Sequence, residues 1–266
     1  MILQSSDACE IGFDIETVKD MDMIDKLPEP KVKLGSLEKP IVADLTKTGT
    51  TKDPVKLAAK KQQIIEKARI KEEERLIAIE EKIKEAKENQ IADMALNPFY
   101  GRICSYAIYG NEGRISKYSV LTEINDKQET NLIKDIFREF ANTNTTAPTI
   151  ITWNGEKFDL RFLYTRAVIL GIELPTGCVS FRTMTKRYEN ENHIDLMTVL
   201  HNYGAYGSLE NAAYAILGEK KLDHDFSKFI ELIETGRGDE IGRYNLQDAK
   251  LTYELYKRVQ PLFLGV

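Results

Sequence analysis

Histidine and cysteine are scarce, three of each in 266 residues. Cys9, Cys104 and Cys178 are scattered and odd in number, which argues against a disulfide framework or a zinc knuckle and for the reducing cytoplasm. His193, His201 and His224 are too few for a multi-histidine centre, so any metal should be a hard ion on carboxylates. No run of about 18 apolar residues exists, which excludes a transmembrane helix and argues against a membrane partner. Residues 1–7 carry neither a basic region nor an apolar stretch and do not read as a signal peptide. Positive charge is also short: 37 Lys and Arg face 42 Asp and Glu, a net charge of −5, where a nucleic-acid binder usually shows a basic footprint. Two Mg²⁺ bound by carboxylates would move that balance to about −1, so charge alone decides no partner.

What is present is 42% hydrophobic residues, enough for a core, in an order that points to one α/β domain, residues 1–266, with an insertion at 26–95. Residues 8–15 alternate Cys9, Ile11, Phe13 and Ile15 as a strand. Residues 26–54, with Pro28, Pro30, Pro40 and Pro54, read as a long loop. From about Asp53 to Ala95 a charged helical pattern follows, with Leu57, Ile64, Ala68, Leu76, Ile79, Ile83 and Ala86 as its apolar stripe. Asp53 suits the N-cap and Pro54 the first turn. Unbroken over 54–92 it is one arm of about 58 Å; broken, it is a helical hairpin. Strands at 103–109 and 114–121 flank the turn signal Gly110-Asn111-Glu112-Gly113. A helix bearing Leu132, Ile133, Ile136, Phe137 and Phe140 comes next, then a buried strand at 148–153. A helix containing Phe158 and Phe162 follows, then a short strand near His193. Helices close the chain at about 195–203, 208–217 and 225–257, the last broken near Gly236-Arg237-Gly238. The order implies a mixed sheet flanked by helices.

Three short motifs carry the chemistry. In Phe13-Asp14-Ile15-Glu16-Thr17, residues two apart at a strand end face one side, so Asp14 and Glu16 converge and repel unless a cation lies between them. Taken alone, such a pair is more often a solvated edge. In Asn154-Gly155-Glu156-Lys157-Phe158-Asp159, a strand enters a tight turn and Asp159 falls in the first helical turn, where it could equally be a capping acid. In Tyr244-Asn245-Leu246-Gln247-Asp248, the i, i+4 spacing stacks the Tyr244 hydroxyl and the Asp248 carboxylate on one helix face.

In that order and context, the three motifs resemble the DEDD superfamily of 3′–5′ exonucleases, and the tyrosine four residues before the last aspartate resembles its DEDDy branch. The similarity is to the proofreading exonuclease domain of family B DNA polymerases, especially its stand-alone relatives in bacteria and phages. His193-Ile194-Asp195-Leu196 resembles a further segment of that family. The branch with a histidine base would need histidine at position 243, where Arg243 stands. The resemblance covers 8–20 and 96–257, and no polymerase palm motif accompanies it.

The resemblance implies a ribonuclease H-like fold with a long charged helical insertion between the first two strands. It implies two divalent cations, Mg²⁺ or Mn²⁺, with Asp14, Glu16, Asp159 and Asp248 as ligands and Tyr244 orienting the attacking water. Thr17, Asn154 and Phe158 match positions near the terminal nucleotide. Asp195 reads as an N-cap that also approaches the site, and Lys186 and Arg187 are candidate phosphate contacts. The implied activity is metal-dependent hydrolysis of single-stranded DNA from its 3′ end in a bacterial or phage-infected cytoplasm. The alternatives are a ribonuclease D-like RNA exonuclease and a catalytically silent nucleic-acid-binding module. At the chain end, Gln260, Leu262 and Phe263 resemble, at a different spacing, peptides that dock on the replicative sliding clamp. Docking requires an extended segment; the competing expectation is that Leu262, Phe263 and Leu264 pack against the last helix.

Overall fold

A computed structural model describes residues 9–50, 52–141, 147–185, 192–201, 207–223 and 225–265. The chain divides into two compact units, one of Met1–Met23 with Met94–Val266 and one of Ile24–Asp93.

The first unit is built on five strands: β1 (Glu10–Lys19), β2 (Gly101–Gly110), β3 (Ile115–Val120), β4 (Thr149–Thr152) and β5 (His193–Asp195). Their order is β3-β2-β1-β4-β5. β1, β2 and β3 form an antiparallel meander, while β4 pairs parallel with β1 and β5 with β4. This is the ribonuclease H-like arrangement. Both faces are covered. Ile11, Phe13 and Ile15 of β1 join a core with α2 (Asp126–Ala141) and α3 (Asp159–Ile169). Ile150 of β4 belongs to that core, whereas Ile151 belongs to a second one with α5 (Leu196–His201), α6 (Leu209–Leu217) and α8 (Asp239–Phe263). Adjacent residues pointing into different cores are expected of a strand buried on both faces. Short helices α4 (Phe181–Met184) and α7 (Phe229–Glu234) complete the unit.

Glycine sets how closely α8 approaches the sheet. A Cβ at Gly12 would lie 2.2 Å from the Ala249 carbonyl oxygen, so only a residue without one lets the helix backbone rest on β1. By the period of two, Gly12, Asp14 and Glu16 share the face that α8 covers.

The second unit is organised by α1 (Pro54–Ala92), a single helix and not a hairpin. Asp53 caps it by accepting from the backbone N–H groups of Val55 (2.9 Å) and Lys56 (3.3 Å). Residues of the preceding loop are tied to the helix: the Ile41 amide donates to Glu72 (2.7 Å), Arg75 to the Leu37 carbonyl (2.6 Å) and Gln90 to the Pro28 carbonyl (3.1 Å). Leu57, Ile64, Ala68, Ile79, Ile83 and Ala86 are half-buried. Leu76, expected on the same stripe, is exposed; Arg75 takes that place because it pairs with Glu72 and caps the loop carbonyl.

Several boundaries differ from the sequence reading. β1 runs on to Lys19, so Asp14 and Glu16 lie within the strand and not at its end. The helix placed at 195–203 is described over Leu196–His201. The segment 225–257 is a short turn at Phe226–Lys228, then α7, then α8. α8 passes through Pro261 to Phe263, so Gln260, Leu262 and Phe263 are helical, not in the extended form that clamp docking requires. Proline at 261 removes one intrahelical hydrogen bond, the one to the Lys257 carbonyl, and the helix ends two residues later at Phe263. Leu262 and Phe263 are 86% and 57% exposed, so of the three residues expected to pack against the last helix Leu264 does and these two do not. Lys186 and Arg187 lie outside the described residues. No helix among the described residues is long and apolar enough to cross a membrane.

Candidate active site

Pairing of β1 with β4 ends at Gly12 opposite Ile151. Beyond that point the edge of β1 is open, and the turn after β4 and the start of α3 come to it. Asp159, the first residue of α3, accepts a hydrogen bond from the Ile15 backbone N–H at 3.2 Å, a donor that β4 does not reach. On the α8 face of β1, Asp14 and Glu16 meet Asp248. Ligand oxygens of these three carboxylates all lie within 4.8 Å of one another. Asp14, Glu16, Thr17, Asn154, Phe158, Asp159, Tyr244 and Asp248, the eight residues expected to bind metal, water or the terminal nucleotide, line one cleft of about 460 Å³.

The electrostatics follow from crowding. Burial raises the Asp14 and Glu16 carboxyls well above the usual range, and neighbouring carboxylates push them further, Asp159 and Asp248 on Asp14 and Asp248 on Glu16. Burial pushes Asp159 up to about 7, against the opposing pull of the Ile15 amide. Asp248 is also raised by burial, although Lys221 opposes the shift. Asp248 Oδ1 is buried and has no hydrogen-bond partner among the described residues. A hard cation fits this donor set: it would satisfy the orphaned oxygen and relieve three mutually repelling carboxylates.

Lys221 was not legible in the motifs. Its Nζ lies 2.6 Å from Asp248 Oδ2 and 4.8 Å from the centre of the Tyr244 ring. Burial disfavours its charge, but Asp248 and Tyr244 outweigh that effect and hold its pKa above the ordinary value. Gln247 fixes the loop that carries it, accepting from the Leu222 amide (2.8 Å) and donating to the Lys220 carbonyl (3.3 Å). The residue before Asp248 therefore positions the lysine that pairs with it.

Asp195 does more than cap. It accepts from Met197 N (3.1 Å) at the start of α5, and also from Asn154 N (3.0 Å) and Glu156 N (3.1 Å) in the turn before Asp159. Asn154 holds a left-handed conformation, φ 67°, which costs a non-glycine residue energy and persists because these bonds hold it. The turn is closed further by Gly155 N donating to Thr152 Oγ1 (3.1 Å), with His193 Nε2 2.8 Å from the same hydroxyl. Burial pushes His193 down to about 4, so it is neutral at pH 7 and serves packing. Asp195→Ala is expected to lower Tm by several degrees and hydrolysis about 10- to 100-fold, since four backbone donors, Thr198 N (3.4 Å) being the fourth, lose their acceptor and Asp159 its support. Asp195→Asn, keeping one acceptor oxygen, should restore part of both; melts and steady-state kinetics of the two variants check this.

Over 125 residues the chain is 35% identical to a DNA polymerase of Pyrococcus glycovorans, covering 42% of this chain and 16% of that one. Over 163 residues it is 29% identical to a DNA polymerase of Methanocaldococcus jannaschii, covering 57% of this chain and 10% of that one. It thus spans less than a fifth of the length of these relatives. Among solved structures, the family B DNA polymerase of Pyrobaculum calidifontis matches with a TM-score of 0.48 at 20% identity, covering 62% of this chain and 22% of that one. A family model described as a predicted 3′–5′ exonuclease related to the exonuclease domain of PolB matches residues 96–263. With more than half of its length matched, the chain belongs to this PolB-related exonuclease family.

Proposed function

We propose that the protein is a DEDDy-type, metal-dependent 3′–5′ exonuclease that hydrolyses single-stranded DNA from its 3′ end and releases nucleoside monophosphates. The observation that carries the reading is the convergence of Asp14, Glu16 and Asp248 on one point of an open cleft. Asp14, Glu16 and Asp248 would hold one of two divalent ions, and Asp159 would support the second. Mg²⁺ or Mn²⁺ suits ligands that are all oxygen; when bound, such ions polarise the phosphate and lower the pKa of the attacking water.

The remaining work falls to this chain's own side chains. Burial first, and Asp248 next, raise the Tyr244 hydroxyl above its ordinary pKa, so at pH 7 it stays protonated and acts by holding a hydrogen bond, not by removing a proton. Lys221 compensates the charge of Asp248. Phe158, half-buried and 5.7 Å from the Phe162 ring, offers a face for the terminal base. The Asn154 amide oxygen is buried without a partner among the described residues, which suits an acceptor for a sugar hydroxyl. The Thr17 hydroxyl donates to the Ala95 carbonyl at 2.6 Å, so its part is to fix the wall of the cleft.

Tyr244→Phe should lower kcat by roughly one to three orders of magnitude with KM little changed, because positioning and not metal ligation is lost. Loss as complete as that of Asp14→Ala would assign the tyrosine another role. The reading itself is tested with end-labelled single-stranded DNA, duplex DNA and RNA, each with EDTA, Mg²⁺ or Mn²⁺. Stepwise shortening of single-stranded DNA from the 3′ end, dependent on metal, is the expected result. Faster turnover of RNA would give the substrate to the ribonuclease D-like alternative, and tight binding without hydrolysis would leave a binding module.

A further inference from the structure

We infer that the basic half of α1 is a nucleic-acid contact in its own right, a row of lysines that binds the phosphate backbone of a single strand. The inference rests on the exonuclease reading only for the identity of the polymer. Charge on this helix is divided sharply. Residues 54–71 hold six Lys and Arg against one acid, and residues 72–92 hold four against seven. Within the basic half, Lys56, Lys60, Lys67 and Lys71 stand at i, i+4, i+11 and i+15. At 100° per residue they fall within about 60° of one another, a row about 22 Å long.

All four residues are exposed, and the row lies beside, not beneath, the side on which Leu57, Ile64 and Ala68 are half-buried. Lys56, Lys67 and Lys71 make no ion pair among the described residues, and Lys60 reaches the Thr48 carbonyl at 3.5 Å. Arg69, by contrast, is engaged by Glu66 and Glu73. Past Lys71 the same side of the helix turns acidic with Glu74, Glu81 and Glu85, so the positive row has a defined end. Lysines four residues apart sit about 6 Å apart along the axis, which suits successive phosphates of a single strand.

The row is complementary to a polyanion, whereas the rest of the chain, with 21 basic and 28 acidic residues outside 24–93, is not. A second copy of the chain fits less well. The exposed apolar residues of α1, Val55, Ile65, Ile70, Leu76 and Ile77, lie to one side of the lysine row, and their spacing does not follow the three-and-four alternation of the seam that a helix pair buries.

The test measures binding of a labelled 20-nucleotide single strand across a salt series in EDTA, with the full chain carrying Asp14→Ala to prevent cleavage. Combining Lys56→Gln, Lys60→Gln, Lys67→Gln and Lys71→Gln should reduce the slope of log K against log salt by about 2 to 3, and affinity at 50 mM salt by about tenfold or more. A control with the same change in net charge, Arg114→Gln, Lys127→Gln, Lys134→Gln and Arg138→Gln, should leave both nearly unchanged. With Asp14 intact, the four-lysine variant should cleave a trinucleotide at the wild-type rate. Equal slopes for the two quadruple variants would overturn the inference. So would an unchanged slope accompanied by a fall in sedimenting mass, which would assign the row to self-association. Failure of the exonuclease reading is separate: wild type would then bind the long strand with a steep salt slope yet hydrolyse nothing in Mn²⁺.

Discussion

Asp14→Ala is expected to reduce hydrolysis at least about a thousandfold while making the metal-free protein more stable. Both effects have one cause. Asp14 is raised by its burial and by three neighbouring carboxyls, Asp159, Asp248 and Glu16, so the folded metal-free state disfavours its charged form. A carboxyl whose folded pKa lies above its unfolded value contributes most below the unfolded pKa, near 4, and that contribution is lost as pH rises through the folded pKa. For Asp159 the loss runs from about 4 up to about 7. In EDTA the wild-type protein should therefore melt at progressively lower temperature between about pH 4 and pH 7, and Mn²⁺ should reverse the drop at pH 7. Removing Asp14 takes one charge out of the cluster, flattens the profile and raises Tm at pH 7 by roughly 2–6 °C, about 1–2 kcal/mol. It also removes one of the three carboxylates proposed to hold the ion, so added Mn²⁺ should raise Tm far less than in wild type. Hydrolysis by wild type in EDTA, or by Asp14→Ala in Mn²⁺, would falsify the site assignment.

The residues of that cluster were legible because each motif turns a short spacing directly into geometry. Two residues along a strand or four along a helix share a face whatever the surroundings, so Asp14 with Glu16, and Tyr244 with Asp248, could be paired without knowing the fold. The helical insertion was legible for a similar reason, since its N-cap and stripe are local. What escaped depends on tertiary contact. Lys221 stands in a loop with no periodicity, and it is brought to Asp248 by the bonds Gln247 accepts from the Leu222 amide and donates to the Lys220 carbonyl. Asp195 was visible as a cap, but its grip on the Asn154 turn requires β4 and β5 to be neighbours. The chain end was misread because the rule that proline disfavours helix in the preceding residue is a tendency, and α8 continues through it. Arg102, Glu129 and Arg166 look like ordinary surface charges in the sequence, and only packing shows that they are buried.

That buried trio should produce the largest loss of stability. Glu129 on α2 is fully buried and accepts from Arg166 Nε (2.8 Å) and Nη2 (2.7 Å) on α3, and from the Ile103 amide (3.0 Å) on β2. Arg166 Nη1 donates to the Pro98 carbonyl (3.1 Å), and Arg102 joins Asp20 at the end of the β1 segment (2.8 Å) with Glu129 at 3.4 Å. One carboxylate thus ties the first turn of α2 and the last turn of α3 to the start of β2. Arg166→Met removes the bidentate partner and leaves Glu129 buried with a long contact to Arg102. Stranding a buried charge in this way costs about 3–5 kcal/mol, so Tm should fall by roughly 6–20 °C. Removing both charges in Glu129→Leu with Arg166→Met strands neither of them, and Arg102 keeps Asp20 and Asp126. The double variant should therefore be less destabilised than the sum of the single ones, by more than about 1 kcal/mol in a double-mutant cycle. Denaturant melts of the four proteins read this directly. Additive losses would mean that the trio acts through packing volume alone and that its charges are not coupled.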